Sequence, residues 1–211
     1  MKLDKVHPEI RRWARWIPSI PVHIPVVRML VNVLVKLVPG FKGDSNIKVS
    51  WVDHGQSRSK IYRPVAPKGD GVLLWIHGGG YIYLDSNVDY ATCCRIVETL
   101  GITVVSVDYR LASVKPFPAA LDDCVDSWQW LQQHATTLGV NPQRAVIAGE
   151  SAGGGLTAAL AQRLHDEGGQ QPVAQLIFAP MLDDRTALRE DLTAEKHFIW
   201  NNKNNRGGWQ S

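Results

Sequence analysis

The stretch "AVIAGESAGGG", residues 145–155, decides the fold that we expect for this chain. It begins as an apolar run typical of a buried strand, turns sharply at Ser151 and continues into a helical pattern. The turn fits G-x-S-x-G, where Gly149 and Gly153 are needed because a side chain at either place would collide with the strand or helix. Such a turn lifts a serine hydroxyl above the strand ends, so Ser151 is a candidate nucleophile.

A second glycine-rich stretch, "HGGG" at His77–Gly80, follows the apolar run "GVLLWI". Three successive glycines leave backbone N–H groups free to point at a bound oxyanion. The alternative is a phosphate-binding loop, but the G-x-G-x-x-G spacing and the Walker lysine are both missing from this stretch. The two motifs, in this order and each after a strand-like run, predict a site in which an oxyanion loop accompanies a serine nucleophile.

Composition and charge narrow the class of protein. The 211 residues are 45% apolar and 20% charged, which is ordinary for one globular domain. The net charge is only +3 and Lys and Arg form no run, so we expect no nucleic-acid partner. The three cysteines, Cys93, Cys94 and Cys124, match neither a metal-ligand spacing nor a disulfide framework. We therefore expect no metal and a reducing, cytoplasmic location.

The N-terminal stretch contains one segment that could be taken for a membrane helix, "IPVVRMLVNVLVKLVPG" at residues 24–40. It is too short to span a bilayer. Arg28, Asn32 and Lys36 recur every fourth residue and form one polar stripe on an otherwise apolar helix. We expect no membrane span and an amphipathic helix docked on the protein, with a helix on a membrane surface as the alternative.

The remaining pattern predicts an α/β fold, with a mostly parallel sheet and helices on both faces. Two strands, "IKVSWV" and "SKIYRP", are joined by a turn over "DHGQSR". Later strands alternate with helices, one at 86–100 and one running from Pro118 to a cap at Gly139. The last two elements are a helix over "LTAALAQRLHDEGG" and a strand over "VAQLIFAP". The closing stretch "HFIWNNKNNRGGWQS" predicts no element.

The chain resembles the hormone-sensitive-lipase-like esterases of the α/β-hydrolase superfamily over about residues 45–185. The matching stretches are "HGGGYIY" (77–83), "SVDYRLA" (106–112), "PFPAALDD" (116–123), "GESAGGG" (149–155) and "FAPMLDD" (178–184). The resemblance implies an α/β-hydrolase core at 43–183. It also implies an N-terminal helical cap segment at 1–42 and the start of a second cap segment at 184–211.

The resemblance assigns roles to individual residues. Ser151 would be the nucleophile, and the N–H groups of Gly78, Gly79 and Ala152 would form the oxyanion hole. His77, Gly80, Gly149 and Gly153 would support the two motifs, and Asp108, Tyr109 and Arg110 would form a structural motif beside the site. The implied reaction is hydrolysis of small carboxylic esters through an acyl-enzyme, without metal or organic cofactor.

Two departures from the family matter. "SVK" at 113–115 stands where many members have Pro-Glu-His, which we expect to alter a loop. Members also continue for roughly another hundred residues, with two more strands that precede the catalytic acid and the base histidine. We therefore expect a core that lacks its last strands, as the N-terminal portion of a longer esterase. The bare edge of "QLIFA" would then pair with the C-terminal fragment of the same enzyme or with another copy.

Some residues could stand in for the acid and base. Asp183 follows the strand "VAQLIFAP" at the correct sheet edge, and His197 could then be the base, although no strand precedes it. His77 is another candidate base, although its family role is to brace the oxyanion loop. His165 is expected on the surface, about four helical turns from Ser151. If none serves, the alternative function is a catalytically silent domain that binds a small ligand.

Overall fold

The computed structural model describes residues 3–37, 45–193, 197 and 199–211. These residues form one six-stranded sheet in the order β1-β2-β4-β3-β5-β6. The strands are β1 (Ile47–His54), β2 (Ser57–Pro64), β3 (Val72–Ile76), β4 (Thr103–Asp108), β5 (Ala145–Glu150) and β6 (Ala174–Phe178). β1 and β2 are antiparallel to each other, and β2 is antiparallel to β4; the pairs from β4 to β6 are all parallel. The predicted mostly parallel sheet is confirmed.

Helices cover both faces of the sheet, also as predicted. The α-helices are α1 (Pro8–Ala14), α2 (Pro25–Leu37), α3 (Tyr90–Leu100), α4 (Ala119–Leu138), α5 (Ala152–Glu167) and α6 (Asn202–Trp209). One apolar cluster joins α4 and α5 to one face, and another joins α3 to the opposite face. β3 is buried along its whole length, because its apolar residues contact both layers.

Several predicted boundaries move. Helix α3 begins at Tyr90 and not at residue 86, because Ser86 and Asp89 are held by the sheet. The Ser86 N–H donates to Asp108 Oδ1 (3.0 Å), and Asp89 Oδ2 accepts from Trp75 Nε1 (2.7 Å). The turn between β1 and β2 is only two residues long. The predicted cap at Gly139 is confirmed, with φ 69°. The expected boundary between residues 42 and 43 lies outside the described residues.

Helix α6 is an element that the sequence did not predict. Asn201 begins it, because its side chain accepts a hydrogen bond from the Asn204 N–H (3.0 Å). Asn204 is buried, donates to Ile20 O (2.9 Å) and contacts the His23 ring nitrogen Nδ1 (2.8 Å). The polar end of the chain is therefore tied to the N-terminal segment by hydrogen bonds and not by an apolar stripe.

Helix α2 docks on the protein by a mixed face and not by a purely apolar one. Val27, Val31 and Val35 are partly buried on this side together with Asn32, whose Oδ1 accepts from the Leu84 N–H (3.0 Å). Five large apolar side chains on the other side are exposed: Val26, Met29, Leu30, Val33 and Leu34. No helix among the described residues is both long enough and apolar enough to cross a membrane.

The sheet ends at β6, whose outer edge is bare in the described part of the chain. β6 pairs with β5 from Ala174 to Phe178, and all five of its residues are exposed. Its last three residues are apolar, as the expectation of a bare apolar edge required. This edge lies beside the strand that carries the serine turn.

Candidate active site

Ser151 stands in the sharp turn between β5 and α5. Its φ is 56° and its ψ is −117°, a conformation that a residue with a side chain rarely adopts. Backbone hydrogen bonds hold it there on both sides. The Ser151 N–H donates to Phe178 O (2.8 Å), and Ser151 O accepts from the N–H groups of Met181 (3.0 Å) and Gly155 (3.1 Å). The turn is thus fixed both by its own helix and by the segment after β6.

The glycines that flank the serine are required by close approach. A Cβ on Gly153 would lie 2.1 Å from Ile76 O, and one on Gly149 would lie 2.3 Å from Gly153 O. Both distances are far below van der Waals contact with backbone atoms that cannot move away. The turn therefore packs directly against the end of β3, where the oxyanion loop begins.

The oxyanion loop lies against the serine. A Cβ on Gly78 would be 3.2 Å from Glu150 O and 3.4 Å from Ser151 Cβ, so the Gly78 backbone touches the turn. Within the described ranges, the N–H groups of Gly78 and Gly79 donate no hydrogen bond. The Ala152 N–H belongs to the first turn of α5, where helix geometry leaves donors free. The structure therefore places Gly78 against the serine turn, with Gly79 next to it in the chain and Ala152 next to Ser151.

His77 is buried and braces this loop. Its Nδ1 donates to Gly78 O (2.6 Å), and its ring stacks on Tyr109 with centroids 4.2 Å apart. The Tyr109 hydroxyl in turn donates to His77 O (3.1 Å). Burial lowers the pKa of His77, which keeps the ring neutral. These contacts favour the bracing role over the role of base, because the ring is fully buried and its acceptor nitrogen Nε2 bonds to no hydroxyl, that of Ser151 included, among the described residues.

Ser151, Asp183 and His197 line one cavity of about 570 Å³. The structure therefore brings the proposed stand-ins for acid and base to the same side of the molecule as the nucleophile. His165 does not join them, since it is exposed near the far end of α5, as expected. Sharing a cavity is not sufficient for a triad, which also needs a chain of hydrogen bonds from serine to base to acid.

That chain of hydrogen bonds is missing from the described contacts. The Asp183 carboxylate instead accepts from Arg185 three times: from the backbone N–H (3.0 Å), from Nε (2.8 Å) and from Nη2 (2.7 Å). The side-chain bonds from Arg185 lower the pKa of Asp183. His197 is exposed and, among the described residues, bonds to neither Asp183 nor Ser151. Ser151 therefore stands beside backbone N–H groups that are free among the described residues, and no described histidine is hydrogen-bonded to it.

The C-terminal segment forms part of this cavity, which the sequence did not suggest. Trp200 and Trp209 both line it. Trp200 also stacks over Tyr83 at 6.3 Å, and its ring packs against Gly80 of the oxyanion loop. Asn202 is buried and donates to Arg189 O (3.0 Å) and Thr193 Oγ1 (3.0 Å). The one local sequence signal for this segment is Asn201, a residue typical of helix caps. The contacts of Trp200 with Tyr83 and Gly80 join residues that are far apart in sequence, so local pattern does not predict them.

Comparison with known proteins gives one family and many relatives. The family model for the alpha/beta hydrolase fold matches residues 73–211. Esterase LipI of Mycobacterium tuberculosis (strain ATCC 25618 / H37Rv) is 33% identical over 180 residues, which cover 85% of this chain and 52% of that protein. Ethyl acetate hydrolase of Pseudomonas putida is 38% identical over 110 residues, which cover 50% of this chain and 34% of that protein.

Solved structures agree with these relatives. Bacterial heroin esterase matches with a TM-score of 0.88 and 26% identity, over 99% of this chain and 68% of that one. Esterase LipW from Mycobacterium marinum matches with a TM-score of 0.83 and 28% identity, over the same shares. The chain thus spans about a third to a half of the length of the two curated relatives named above.

Proposed function

We propose that this chain, which belongs to the alpha/beta hydrolase fold family, carries the nucleophile of a serine carboxylesterase that acts on small carboxylic esters. The observation that carries the proposal is the contact between the Gly78 backbone and the Ser151 turn. The proposal is supported by this contact because the N–H group of Gly78 donates no hydrogen bond among the described residues and Ser151 has a φ of 56°. Supporting it, the relatives named above are esterases or an ester hydrolase by name.

In the proposed reaction, Ser151 Oγ attacks the carbonyl carbon of the ester. The N–H groups of Gly78, Gly79 and Ala152 hold the negative charge that develops on the carbonyl oxygen. The C–O bond to the alcohol breaks and the proton from the Ser151 hydroxyl passes to the leaving alkoxide, which departs as the alcohol. Water then hydrolyses the acyl–serine bond, which releases the acid and restores the Ser151 hydroxyl. No metal or organic cofactor takes part. His77, Gly80, Gly149 and Gly153 act only by holding the loop and the turn in place.

The test is covalent labelling by a fluorophosphonate probe, read by intact-mass and peptide spectrometry. We expect the probe to add once, at Ser151, and S151A to abolish the addition. S57A changes a serine on β2, away from the turn, and is the matched control that should label normally. Addition at a different serine, with Ser151 unmodified, would contradict the nucleophile assignment.

One observation favours a second candidate, a catalytically silent domain that binds a small ligand in the same cavity. Asp183 is engaged by Arg185, and His197 bonds to neither Asp183 nor Ser151 within the described residues. Steady-state hydrolysis of a short p-nitrophenyl ester separates the two. A serine without its acid and base retains a residual rate several powers of ten below a complete enzyme. A rate equal to that of a full-length relative would remove the silent domain from consideration.

The organisation of the chain is also a proposal. Residues 1–42 and 184–211 would form cap segments around a core at 43–183, supported by the hydrogen bonds between Asn204 and the loop at Ile20 and His23. A cytoplasmic location is supported by the three cysteines, which are buried and form no disulfide among the described residues. Separate expression of residues 43–183 tests the organisation, which predicts that the core loses solubility when both cap segments are removed.

The bare edge of β6 points to a partner. We expect this edge to pair with a C-terminal fragment of the same enzyme or with another copy, since unpaired N–H and C=O groups recruit strands. Size-exclusion chromatography with light scattering measures the association. I177K places a charge on β6 and should reduce it, whereas V49K makes the same change on the opposite edge strand, β1. A monomer of the unmodified chain with cooperative unfolding would contradict this expectation.

A further inference from the structure

Helix α2 presents a continuous apolar stripe to solvent. Val26, Met29, Leu30, Val33 and Leu34 are each between 52% and 62% exposed. Their spacing of three and four residues places them on one face of the helix. The opposite face is committed to the protein through Asn32 and the Leu84 N–H. The exposed stripe is therefore a consequence of how the helix is attached, since rotating the helix to bury it would break that bond.

The segment before α2 carries further large apolar groups in the open. Trp13 is 63% exposed and Trp16 is 78% exposed. The guanidinium of Arg12 lies 5.0 Å from the Trp13 ring centroid. Tryptophan with arginine beside it is typical of side chains that settle at the boundary between lipid headgroups and acyl chains.

Charge distinguishes a lipid surface from a second copy of this chain as the occupant. Residues 1–37 contain seven Lys and Arg residues against two acidic residues, although the whole chain has a net charge of only +3. Among the described residues, none of Arg12, Arg15 and Arg28 takes part in an ion pair. Two such segments face to face would repel each other, whereas anionic lipid headgroups would neutralise them.

We propose that α2, with Trp13 and Trp16, docks this protein on the surface of membranes that contain anionic lipids. The helix has 13 residues and is about 20 Å long, too short for a hydrocarbon core of roughly 30 Å. It therefore lies in the plane of the interface, with its apolar stripe inserted and its Asn32 side held by the protein. This inference is independent of the proposed ester hydrolysis, because Ser151 takes no part in it.

Vesicle flotation of the whole chain tests the proposal, since floating vesicles separate bound protein from aggregates that sink. We expect flotation with phosphatidylcholine vesicles that contain phosphatidylglycerol. M29S/L30S/V33S should lower the partition coefficient by about tenfold or more, because three inserted side chains are lost. The matched control, V114S/L188S/I199S, removes three side chains exposed elsewhere and should bind like the unmodified chain. The unfolding midpoints of both triple variants should stay unchanged, because the altered residues are exposed.

R12Q/R15Q isolates the electrostatic contribution. It should weaken binding to the anionic vesicles by about fivefold per cation and leave binding to pure phosphatidylcholine unchanged. Three results would overturn the proposal: no flotation of the unmodified chain, equal losses in the two triple variants, or equal binding to both kinds of vesicle. A dimer that M29S/L30S/V33S dissociates, with no flotation, would likewise overturn it in favour of a second copy.

Discussion

The two sides of Ser151 are built in different ways. On the oxyanion side, His77 and Ala152 are fully buried, and each group is positioned by backbone contacts or ring stacking. On the opposite side, the exposed His197 makes no bond to the serine within the described residues, and the carboxylate of the half-buried Asp183 is engaged by Arg185. Catalytic groups contribute in proportion to how well they are held in advance. The oxyanion side is thus held in place by buried contacts, whereas the described residues of the acid–base side form no such contacts with Ser151.

The sheet explains this difference. The oxyanion loop follows β3 and the serine follows β5, and these two strands pair with each other in the interior. Asp183 follows β6, which has a neighbour on one side only in the described part of the chain. Residues that follow an interior strand are held in place by neighbouring strands on both sides. Residues that follow an edge strand are held on one side only, unless another segment covers that edge.

The largest effect is expected at Gly153. G153A adds a Cβ that would lie 2.1 Å from Ile76 O, so the turn and the end of β3 must separate. We expect a loss of about 3 kcal/mol or more in the free energy of unfolding. Urea denaturation followed by circular dichroism measures it. G69A is the control, because nothing lies within 4 Å of the added carbon there. Equal stability of the two variants would show that the serine turn does not pack this closely against the end of β3.

A smaller effect is expected when the brace under the oxyanion loop is weakened. Y109F removes the hydroxyl that donates to His77 O and should cost about 1–2 kcal/mol of stability. It should also slow fluorophosphonate labelling of Ser151, because Gly78 follows His77 directly. Y62F is the matched control. The Tyr62 hydroxyl is buried without a partner among the described residues, so its removal should be neutral or stabilising.

If Y109F and Y62F behave alike in both stability and labelling rate, the oxyanion side is not held in the way described here. If Y109F labels more slowly but is equally stable, the Tyr109 hydroxyl positions the oxyanion loop and does not stabilise the fold. Either measurement tests the oxyanion side alone, because no similar buried brace is present on the Asp183 side of the described structure.

The oxyanion side was also the part that the sequence predicted well. The strands before both motifs are continuous apolar runs, which local pattern identifies directly. The turn needs its glycines for local reasons, and these are visible in "GESAG" itself. The stacking of His77 on Tyr109 joins residues 32 apart and could be expected only from the family resemblance.

The cap-side elements were harder to predict, for physical reasons. Helix α6 depends on Asn204, whose partners Ile20 and His23 lie more than 180 residues away in sequence. Helix α2 was predicted as a helix, but its pattern does not reveal which face the protein will occupy, and the docked face includes Asn32 as well as partly buried valines. Asp183 was correctly placed at the sheet edge, whereas its capture by Arg185 depends on the conformation of a loop.

A modest gain in stability is expected from S151G. The φ of Ser151 is 56°, which a glycine adopts without steric cost. We expect a gain of about 0.5–1 kcal/mol in the free energy of unfolding, with all labelling lost. S50G, on the exposed strand β1, should instead destabilise by about 0.5–1 kcal/mol, because glycine is unfavourable in a strand. If S151G is no more stable than the unmodified chain, the strain at the turn is absent.

The smallest effect is expected on the acid–base side. D183N removes the charge that Arg185 engages, but this carboxylate bonds to no histidine in the described structure. The residual hydrolysis of a p-nitrophenyl ester should therefore stay within about twofold of the unmodified chain, and H197A should behave the same. S151A, measured alongside, should abolish fluorophosphonate labelling but change the residual rate little, because that rate comes from the oxyanion donors and from binding. A loss of tenfold or more in both D183N and H197A, without loss of folding, would mean that the two residues form the missing half of the site.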